Sequence, residues 1–402
     1  MLARVARPQT IAWVLFGLLL LFFPYFQTWA GFDRALDEIG KTTGIRLTAF
    51  EVTMLAVWLV ILTGLNLLTG YSGQISLGHG ALVACGAYIA AVIVDNTSAP
   101  IAVAVLAGGL GAGLIGFGIG IPALRLTGPY LAIATLALIV SMPQILKMDA
   151  FSDWTGGATG INLEQARAPG SIDGLVDDRQ WLYYSVMAPA IIMTVLAWNI
   201  TRSRVGRAFI ALRDSEIGAQ QMGVNIPLYK TMAFGLSALY AGVGGGLFLY
   251  AQSFTSPESF SVFQSIQFLV VIVIGGLASI LGGILAAAFF AYNPAVISRI
   301  AEVMPGWIAE PLEPFERLRW AIFGSVLIIV MVTLPSGAAG LVRRLGALRP
   351  ADVIAGLRRA SPGRLASALR SHPLTERLLG PAPESRAVGG EDSSEGDGEP
   401  DG

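Results

Sequence analysis

Long apolar segments recur along this chain, and they constrain its fold more than any other feature. A helix that crosses a bilayer needs about 20 predominantly apolar residues. Charged residues make up 13% of the chain, whereas soluble domains average about 25%. The sequence therefore predicts an all-α integral membrane protein. Apolar runs of spanning length lie near 11–30, 49–69, 76–94, 99–123, 128–147, 181–200, 231–252 and 319–336, and a longer block covers 262–297.

The block at 262–297 is too long for a single span. Gly275-Gly276 and Gly282-Gly283 offer break points in its middle, so we expect either two spans or one span with a re-entrant hairpin. With two spans in the block, the chain has about 10 transmembrane helices, and the range is 8–10.

Charge asymmetry orients these spans. The loop 201–230 is rich in arginine and contains only Asp214 and Glu216 as acids, so the positive-inside rule places it in the cytoplasm. The charged residues of the connection 148–180 are mostly acidic, which suits a position outside the cell. With ten spans, both termini are then cytoplasmic, and the basic clusters near each terminus agree.

The end of the chain differs from the rest. Residues 1–345 are predicted to form the transmembrane domain, and 346–402 a cytoplasmic tail. The basic, leucine-rich part of this tail can form an amphipathic helix on an anionic leaflet. From residue 381 onward the tail is acidic and rich in Gly, Pro and Ser; it cannot build a core and is predicted to be disordered.

Few residues could carry enzyme chemistry. The sequence contains no G-x-x-x-x-G-K-[ST] phosphate-binding loop, no H-E-x-x-H motif and no Cys/His cluster. We therefore expect no enzymatic activity, no metal and no cofactor on this chain. Only Glu51 and His79 lie close to hydrocarbon depth, which disfavours an ion-coupled carrier, although backbone carbonyls at broken helices can also hold sodium.

A glycine-framed polar segment, GYSGQISLGHGALVACGAYIA at 70–90, separates the second and third apolar runs. Its glycines make a continuous helix unlikely, and non-helical backbone at membrane depth must be buried in protein or line a water-filled cavity. One hypothesis is that the break lines the translocation path; the alternative is a cytoplasmic turn in which His79 caps a helix. The candidate path residues are Asn66, Tyr71, Gln74, Ser76, His79 and Tyr88.

Small residues recur at four-residue spacing in two of the runs. Gly109 and Gly113 belong to one run, and Ala238, Gly242 and Gly246 to another. Such spacing lets transmembrane helices approach closely, so we expect these two runs to pack tightly.

The cytoplasmic loop has its own helical pattern. Within residues 206–230, the helical spacing of Ala208, Ala211, Leu212, Ser215 and Ala219 predicts one short helix. Arg213 can reach Glu216 on the next turn, and Gly223 marks the end of the helix. This helix is either a surface connector or a docking element for a separate cytoplasmic subunit.

Three motifs in sequence carry a family resemblance: GLNLLTGYSGQISLGHGALVACGAYIAA (64–91), WTGGATGI (154–161) and GRAFIALRDSEIGAQQMGVN (206–225). Together they resemble the membrane-spanning subunits of branched-chain amino acid ABC importers, of the LivM type. The resemblance extends over about 50–340 and excludes the tail.

The resemblance implies a permease that forms half of a translocation path for branched-chain or related neutral amino acids. It implies a second paralogous permease, two ABC ATPase subunits that bind the ATP, an external solute-binding protein, and a bacterial inner membrane. The loop 206–225 becomes the ATPase-coupling segment, with Arg207, Arg213, Glu216 and Gly223 as its candidate residues. Two alternatives stay open: a related permease for urea, an amide or a sugar, and an ion-coupled secondary carrier.

Overall fold

The computed structural model describes residues 48–303, apart from 98, 125, 127, 165–166 and 169–176, and then 324–325, 328, 333 and 337–341. Seven helices within these residues are long and apolar enough to cross a bilayer. The chain is thus mainly helical, as predicted. The run at 11–30, most of the run at 319–336 and the tail 346–402 lie outside the described residues, so the count of ten spans and the position of the termini stay predictions.

The described elements alternate long apolar helices with short connections. A π-helical turn, Asn66–Tyr71, continues α1, and a 3-10 turn, Pro257–Ser259, follows the second of two short strands. The helices are α1 Ala49–Leu65, α2 His79–Asn96, α3 Ile101–Ala123, α4 Pro129–Leu146, α5 Asp149–Thr155, α6 Asp178–Arg202, α7 Arg204–Asp214, α8 Glu216–Gln221, α9 Ile226–Gln252, α10 Val262–Gly275 and α11 Ile280–Val303; the strands are β1 Ile161–Asn162 and β2 Phe254–Thr255.

Local capping explains where several helices begin. Thr48 and Glu51 form a reciprocal capping box at the start of α1, which satisfies amide groups that a helix start leaves unpaired. The side chain of Asn225 accepts from the amide of Leu228 and starts α9, with Pro227 in its first turn.

Two helices form the centre of the bundle. Helix α1 and its π-helical continuation form one span, and 89% of the most apolar 18 residues of this span are buried. The corresponding buried share in α4 is 28%. Helix α9 packs against α1, α2 and α3. The outer helices carry apolar side chains outward, for example Leu106, Leu110 and Leu114 on α3, as expected for surfaces that face lipid or another membrane subunit.

Glycines allow the central helices to touch through their backbones. A Cβ atom on Gly86 of α2 would lie 2.2 Å from the Cα of Gly242 on α9, and one on Gly116 of α3 would lie 2.1 Å from the Cβ of Ala238. The close packing predicted from the small-residue spacing is therefore confirmed for α3 and α9.

The long apolar block is broken at the first of its two glycine pairs. Helix α10 ends at Gly275, and residues 276–279 turn the chain, with Gly276 at φ 114° and Ala278 at φ 54°. The second glycine pair lies inside α11. We call residues 276–279 the hairpin tip.

Helix α11 runs back along α1 from the hairpin tip. A Cβ on Gly283 would lie 3.5 Å from the hydroxyl of Thr63, and the Phe290 ring lies 4.7 Å from that of Trp58. Increasing numbers on α11 thus meet decreasing numbers on α1, so the two helices are antiparallel. The hairpin tip lies near the end of α1 at which the π-helical turn begins.

Candidate functional site

The bundle has two ends with different structures. The antiparallel strands β1 and β2 pair through Ile161 and Thr255 at one end. Helices α6 and α9 have 25 and 27 residues, about 38–40 Å at 1.5 Å per residue, and they lead from this ribbon to α7 and α8. We call the two ends the ribbon end and the short-helix end.

After the π-helical turn the chain re-enters the bundle. Gly73 adopts φ 75°, and residues 72–78, the re-entrant segment, lead without helical structure to α2. The ring of His79, the first residue of α2, lies 2.9 Å from the carbonyl oxygen of Ile61. Ile61 precedes Tyr71 by ten residues of helix, about 15 Å. The segment therefore runs within the depth of the α1 span.

Hydroxyl groups from two other helices hold the end of this segment. The amide of Leu77 donates to Thr135 Oγ1 of α4 at 3.0 Å, and the amide of Gly80 donates to Ser265 Oγ of α10 at 3.1 Å. Ser265 Oγ also donates to the carbonyl of Leu77. These side chains supply hydrogen bonds that water would otherwise provide to a non-helical backbone inside a membrane protein.

His79 is fully buried and links three helices. Its Nε2 faces the carbonyl of Ile61 on α1, and its Nδ1 lies 3.4 Å from Ser237 Oγ on α9. A neutral ring with its proton on Nε2 satisfies both contacts, because Nε2 donates and Nδ1 accepts from the serine hydroxyl. His79 lies at the start of α2, yet its ring bonds to other helices and does not cap its own.

Asn66 holds the hairpin tip with both polar atoms of its amide. Its Nδ2 donates to the carbonyl of Ser279 at 2.9 Å, and its Oδ1 accepts from the amide of Ala278 at 2.9 Å. A Cβ on Gly70 would lie 2.0 Å from this Oδ1 and 2.6 Å from the amide nitrogen of Ala278. Only glycine leaves room there for the tip.

All six candidate path residues are buried. Asn66, Tyr71, Gln74 and Ser76 lie on the π-helical turn or the re-entrant segment, and His79 follows directly. Tyr88 lies further along α2, with its ring 6.4 Å from that of Phe260. Five of the six are thus brought together, and Tyr88 is separated from them along α2. Their role in a translocation path stays a prediction.

The short-helix end differs from its prediction in one respect. One short helix ending at Gly223 was predicted, but Ser215 is extended at φ −163° and divides it into α7 and α8. The Ser215 hydroxyl accepts from the amide of Gly218 and caps α8, a role for which serine is well suited. Gly223 ends the segment at φ 80°, as its position suggested.

The charged residues of this end form different pairs from the predicted one. Arg213 pairs with Asp214 at 2.9 Å and does not pair with Glu216, whose carboxylate lies 2.7 Å from Nζ of Lys230 on α9. The Lys230 side chain is only 7% exposed. No periodicity in the sequence indicates this buried partner. Arg207 is exposed and donates to the carbonyl of Arg202.

Helices α7 and α8 are apolar on the inside and also in part on the outside. Ala208, Phe209 and Leu212 are buried against the bundle, whereas Ile217 is 76% exposed and Met222 is 84% exposed. Exposed apolar side chains that are surrounded by charges are typical of protein contact surfaces.

The re-entrant segment and the short-helix end meet at a cavity of about 290 Å³. Gln74 and Ile75 line it from the segment, Arg213 and Glu216 from α7 and α8, and Lys230 from α9. The two candidate sites that the sequence analysis treated separately are therefore adjacent.

Comparison with known proteins identifies the family of the chain. The family described as the permease component of branched-chain amino acid transport systems matches residues 47–331. The chain belongs to this family. The match covers the re-entrant segment, the short-helix end and both helices of the α10–α11 hairpin.

Individual relatives agree with the family. The permease is 31% identical to the high-affinity branched-chain amino acid transport system permease protein LivM of Salmonella typhimurium over 312 residues, 72% of this chain and 69% of the relative. The LivM protein of Escherichia coli is also 31% identical, over 325 residues, 74% of this chain and 71% of the relative. The autoinducer 2 import system permease protein LsrC of Escherichia coli is 26% identical over 164 residues, 38% of this chain and 45% of the relative. No solved structure matches the chain.

Proposed function

We propose that this permease is the membrane-spanning subunit of an ATP-driven importer and provides half of the path for branched-chain or related neutral amino acids. The observation that carries the proposal is the similarity to two LivM proteins over more than two thirds of each chain. The adjacency of the re-entrant segment and the short-helix end supports the proposal. Helices α7 and α8, which an ATPase can contact, then lie next to the non-helical backbone inside the bundle.

The short-helix end is the cytoplasmic face in this proposal, and α7 and α8 dock on an ABC ATPase subunit. Ile217 and Met222 supply the exposed apolar contacts, and Arg207 and Glu216 supply charges beside them. The chain itself binds no ATP, since hydrolysis belongs to the two ATPase subunits. Gly223 ends the docking segment.

The re-entrant segment is the part of the path that this subunit contributes. Ile75 is 44% exposed and faces the cavity, while Gln74 and Ser76 on either side of it are buried. Tyr88 lies further toward the ribbon end, on the same proposed route.

Two further partners complete the assembly. A second paralogous permease provides the other half of the path, and an external solute-binding protein delivers the amino acid at the ribbon end. There the ion pair of Lys147 with Glu258 joins α4 to the 3-10 turn. The complex resides in the inner membrane of a bacterium.

Uptake of labelled leucine tests the proposal. Cells that lack the protein are complemented with wild type, with Glu216→Arg or with Asp95→Arg, a matched charge reversal at an exposed residue of α2. We expect rescue by wild type and Asp95→Arg but not by Glu216→Arg, and resistance of this uptake to a protonophore while ATP is maintained. Uptake that the protonophore abolishes, with Glu216→Arg active, would show an ion-coupled carrier instead.

A second solute is favoured by one observation. The chain is also similar to the LsrC import permease, whose name states a different solute, autoinducer 2. Competition by unlabelled solutes separates the two cases. If the proposal is right, excess unlabelled leucine suppresses the uptake that this permease mediates. Uptake by a urea, amide or sugar permease would be unaffected by leucine.

A further inference from the structure

Arg213 belongs to α7, yet its guanidinium reaches the end of another span. Its Nη1 donates to the carbonyl of Gly70 at 3.2 Å, while its Nε and Nη2 contact Asp214 Oδ1 at 3.0 and 2.9 Å. Gly70 lies in the last turn of the π-helical extension of α1. Carbonyls in the last turn of a helix lack partners within that helix, and a cation at this position is favourable to the helix dipole. Arg213 therefore caps α1 from outside.

A second contact brings the backbone of α7 against the same turn. A Cβ on Gly73 would lie 3.2 Å from the Cα of Arg213 and 2.7 Å from its Cγ. Gly73 is also the residue at which the chain turns into the re-entrant segment. Helix α7 thus contacts the π-helical turn at Gly70 and the re-entrant segment at Gly73.

The π-helical turn also contacts the hairpin tip. Asn66 at its first residue bonds to Ala278 and Ser279, and Gly70 packs against the amide of Ala278. One six-residue turn therefore lies between α7, the re-entrant segment and the hairpin tip. Short π-helical pieces inside α-helices are uncommon and are frequently found at functional sites.

We infer that Arg213 and the π-helical turn 66–71 transmit movement of the docked helices α7 and α8 to the re-entrant segment and to the hairpin tip. Arg213 is a positioning residue in this inference: it acts through the Gly70 carbonyl and touches no solute. The inference rests on the proposed function, because it requires that an ATPase docks on α7 and α8. Chains of packed side chains, hydrogen bonds and rigid elements can carry coupling between two sites, and the turn supplies such contacts on both sides.

The test uses the complete transporter, with both permeases, both ATPase subunits and the binding protein, in lipid nanodiscs. ATP hydrolysis is measured with leucine-loaded binding protein and without it, and leucine transport is measured in vesicles of the same preparation. The variants are Arg213→Ala, Arg213→Lys and Gly73→Ala. The control is Arg204→Ala, which removes an exposed charge from the same helix.

We expect assembly of all variants and at least a tenfold loss of leucine transport in Arg213→Ala. The stimulation of hydrolysis by loaded binding protein should fall to about onefold, because the signal no longer reaches the path. Gly73→Ala should behave alike, since its Cβ pushes α7 away. Arg213→Lys should recover part of the stimulation, because an ammonium can still donate to the Gly70 carbonyl, and Arg204→Ala should match wild type.

Three results would overturn the inference. The first is wild-type stimulation and transport in Arg213→Ala and Gly73→Ala. The second is loss of the ATPase subunits from the Arg213→Ala complex, which would make Arg213 a docking residue. The third is an equal defect in Arg204→Ala, which would indicate a general charge effect. Failure of the proposed function looks different: the wild-type complex itself would then show no leucine-dependent hydrolysis.

Discussion

Replacement of Asn66 by leucine tests whether the hairpin tip depends on one amide. The two side chains have similar size, so the change removes polar atoms and little volume. It deprives the Ala278 amide of its partner at 2.9 Å, and it removes one of two donors to the Ser279 carbonyl, which still accepts from the amide of Gly283 at 3.0 Å. Hydrogen bonds between transmembrane helices average about 0.6 kcal/mol, whereas a buried group left unsatisfied costs roughly 1–3 kcal/mol. With one group left unsatisfied and one further hydrogen bond lost, the loss of unfolding free energy is therefore about 1 kcal/mol at the least and about 4 kcal/mol at the most.

The upper part of this range is expected, because Asn66 is only 1% exposed. Unfolding is followed by tryptophan fluorescence during titration with sodium dodecyl sulfate in mixed micelles. Asn96→Leu is the control: Asn96 is exposed and its amide donates only to Val92 of its own helix, so its effect should stay within about 0.5 kcal/mol. An Asn66→Leu value within the same 0.5 kcal/mol would refute the role given to the amide.

Three further predictions follow from contacts and from the proposed orientation. Gly86→Val places a side chain against the backbone of α9 and should cost more than the roughly 1–3 kcal/mol of ordinary overpacking; thermal denaturation in detergent measures this against Gly118→Val, a position where an added Cβ meets no atom within 4 Å. Glu216→Lys leaves the buried Lys230 beside a like charge and should lower the melting temperature, and adding Lys230→Glu should restore part of it; no recovery would contradict the pairing. In a cysteine-free background, Gln221→Cys should react with a membrane-impermeant thiol reagent only in inside-out vesicles and Asp153→Cys only in intact spheroplasts, and the reverse pattern would invert the proposed topology.

Much of the helical framework could be predicted from the sequence. Apolar runs of spanning length anticipated α1 to α4, α6 and α9 within a few residues, because a helix in a membrane must satisfy its backbone internally and be apolar outside. The break in the 262–297 block was also anticipated, since Gly275-Gly276 disfavours a continuous helix. Local composition is sufficient for features of this kind, which depend on neighbouring residues only.

Contacts between distant residues could not be predicted. Asn66 and Ser279 are 213 positions apart, and Arg213 and Gly70 are 143 apart. No repeating pattern in a single sequence connects residues at such distances. The division at Ser215 was missed for a related reason. Small residues on both sides of it continue a helical pattern, but the serine hydroxyl offers the backbone an alternative as a cap.

The glycines of the polar segment allow close contacts in the folded chain, in addition to interrupting a helix. They were interpreted as helix breakers, yet each of three marks the approach of another part of the bundle: Gly70 the hairpin tip, Gly73 helix α7, and Gly78 the backbone of α4, whose Thr135 carbonyl would lie 2.3 Å from an added Cβ. Three elements far apart in sequence thus meet nine consecutive residues. Because close-packed contacts cannot shift one at a time without strain, a displacement of α7 must be taken up by this stretch, and that is the physical reason to look for the coupling of transport here.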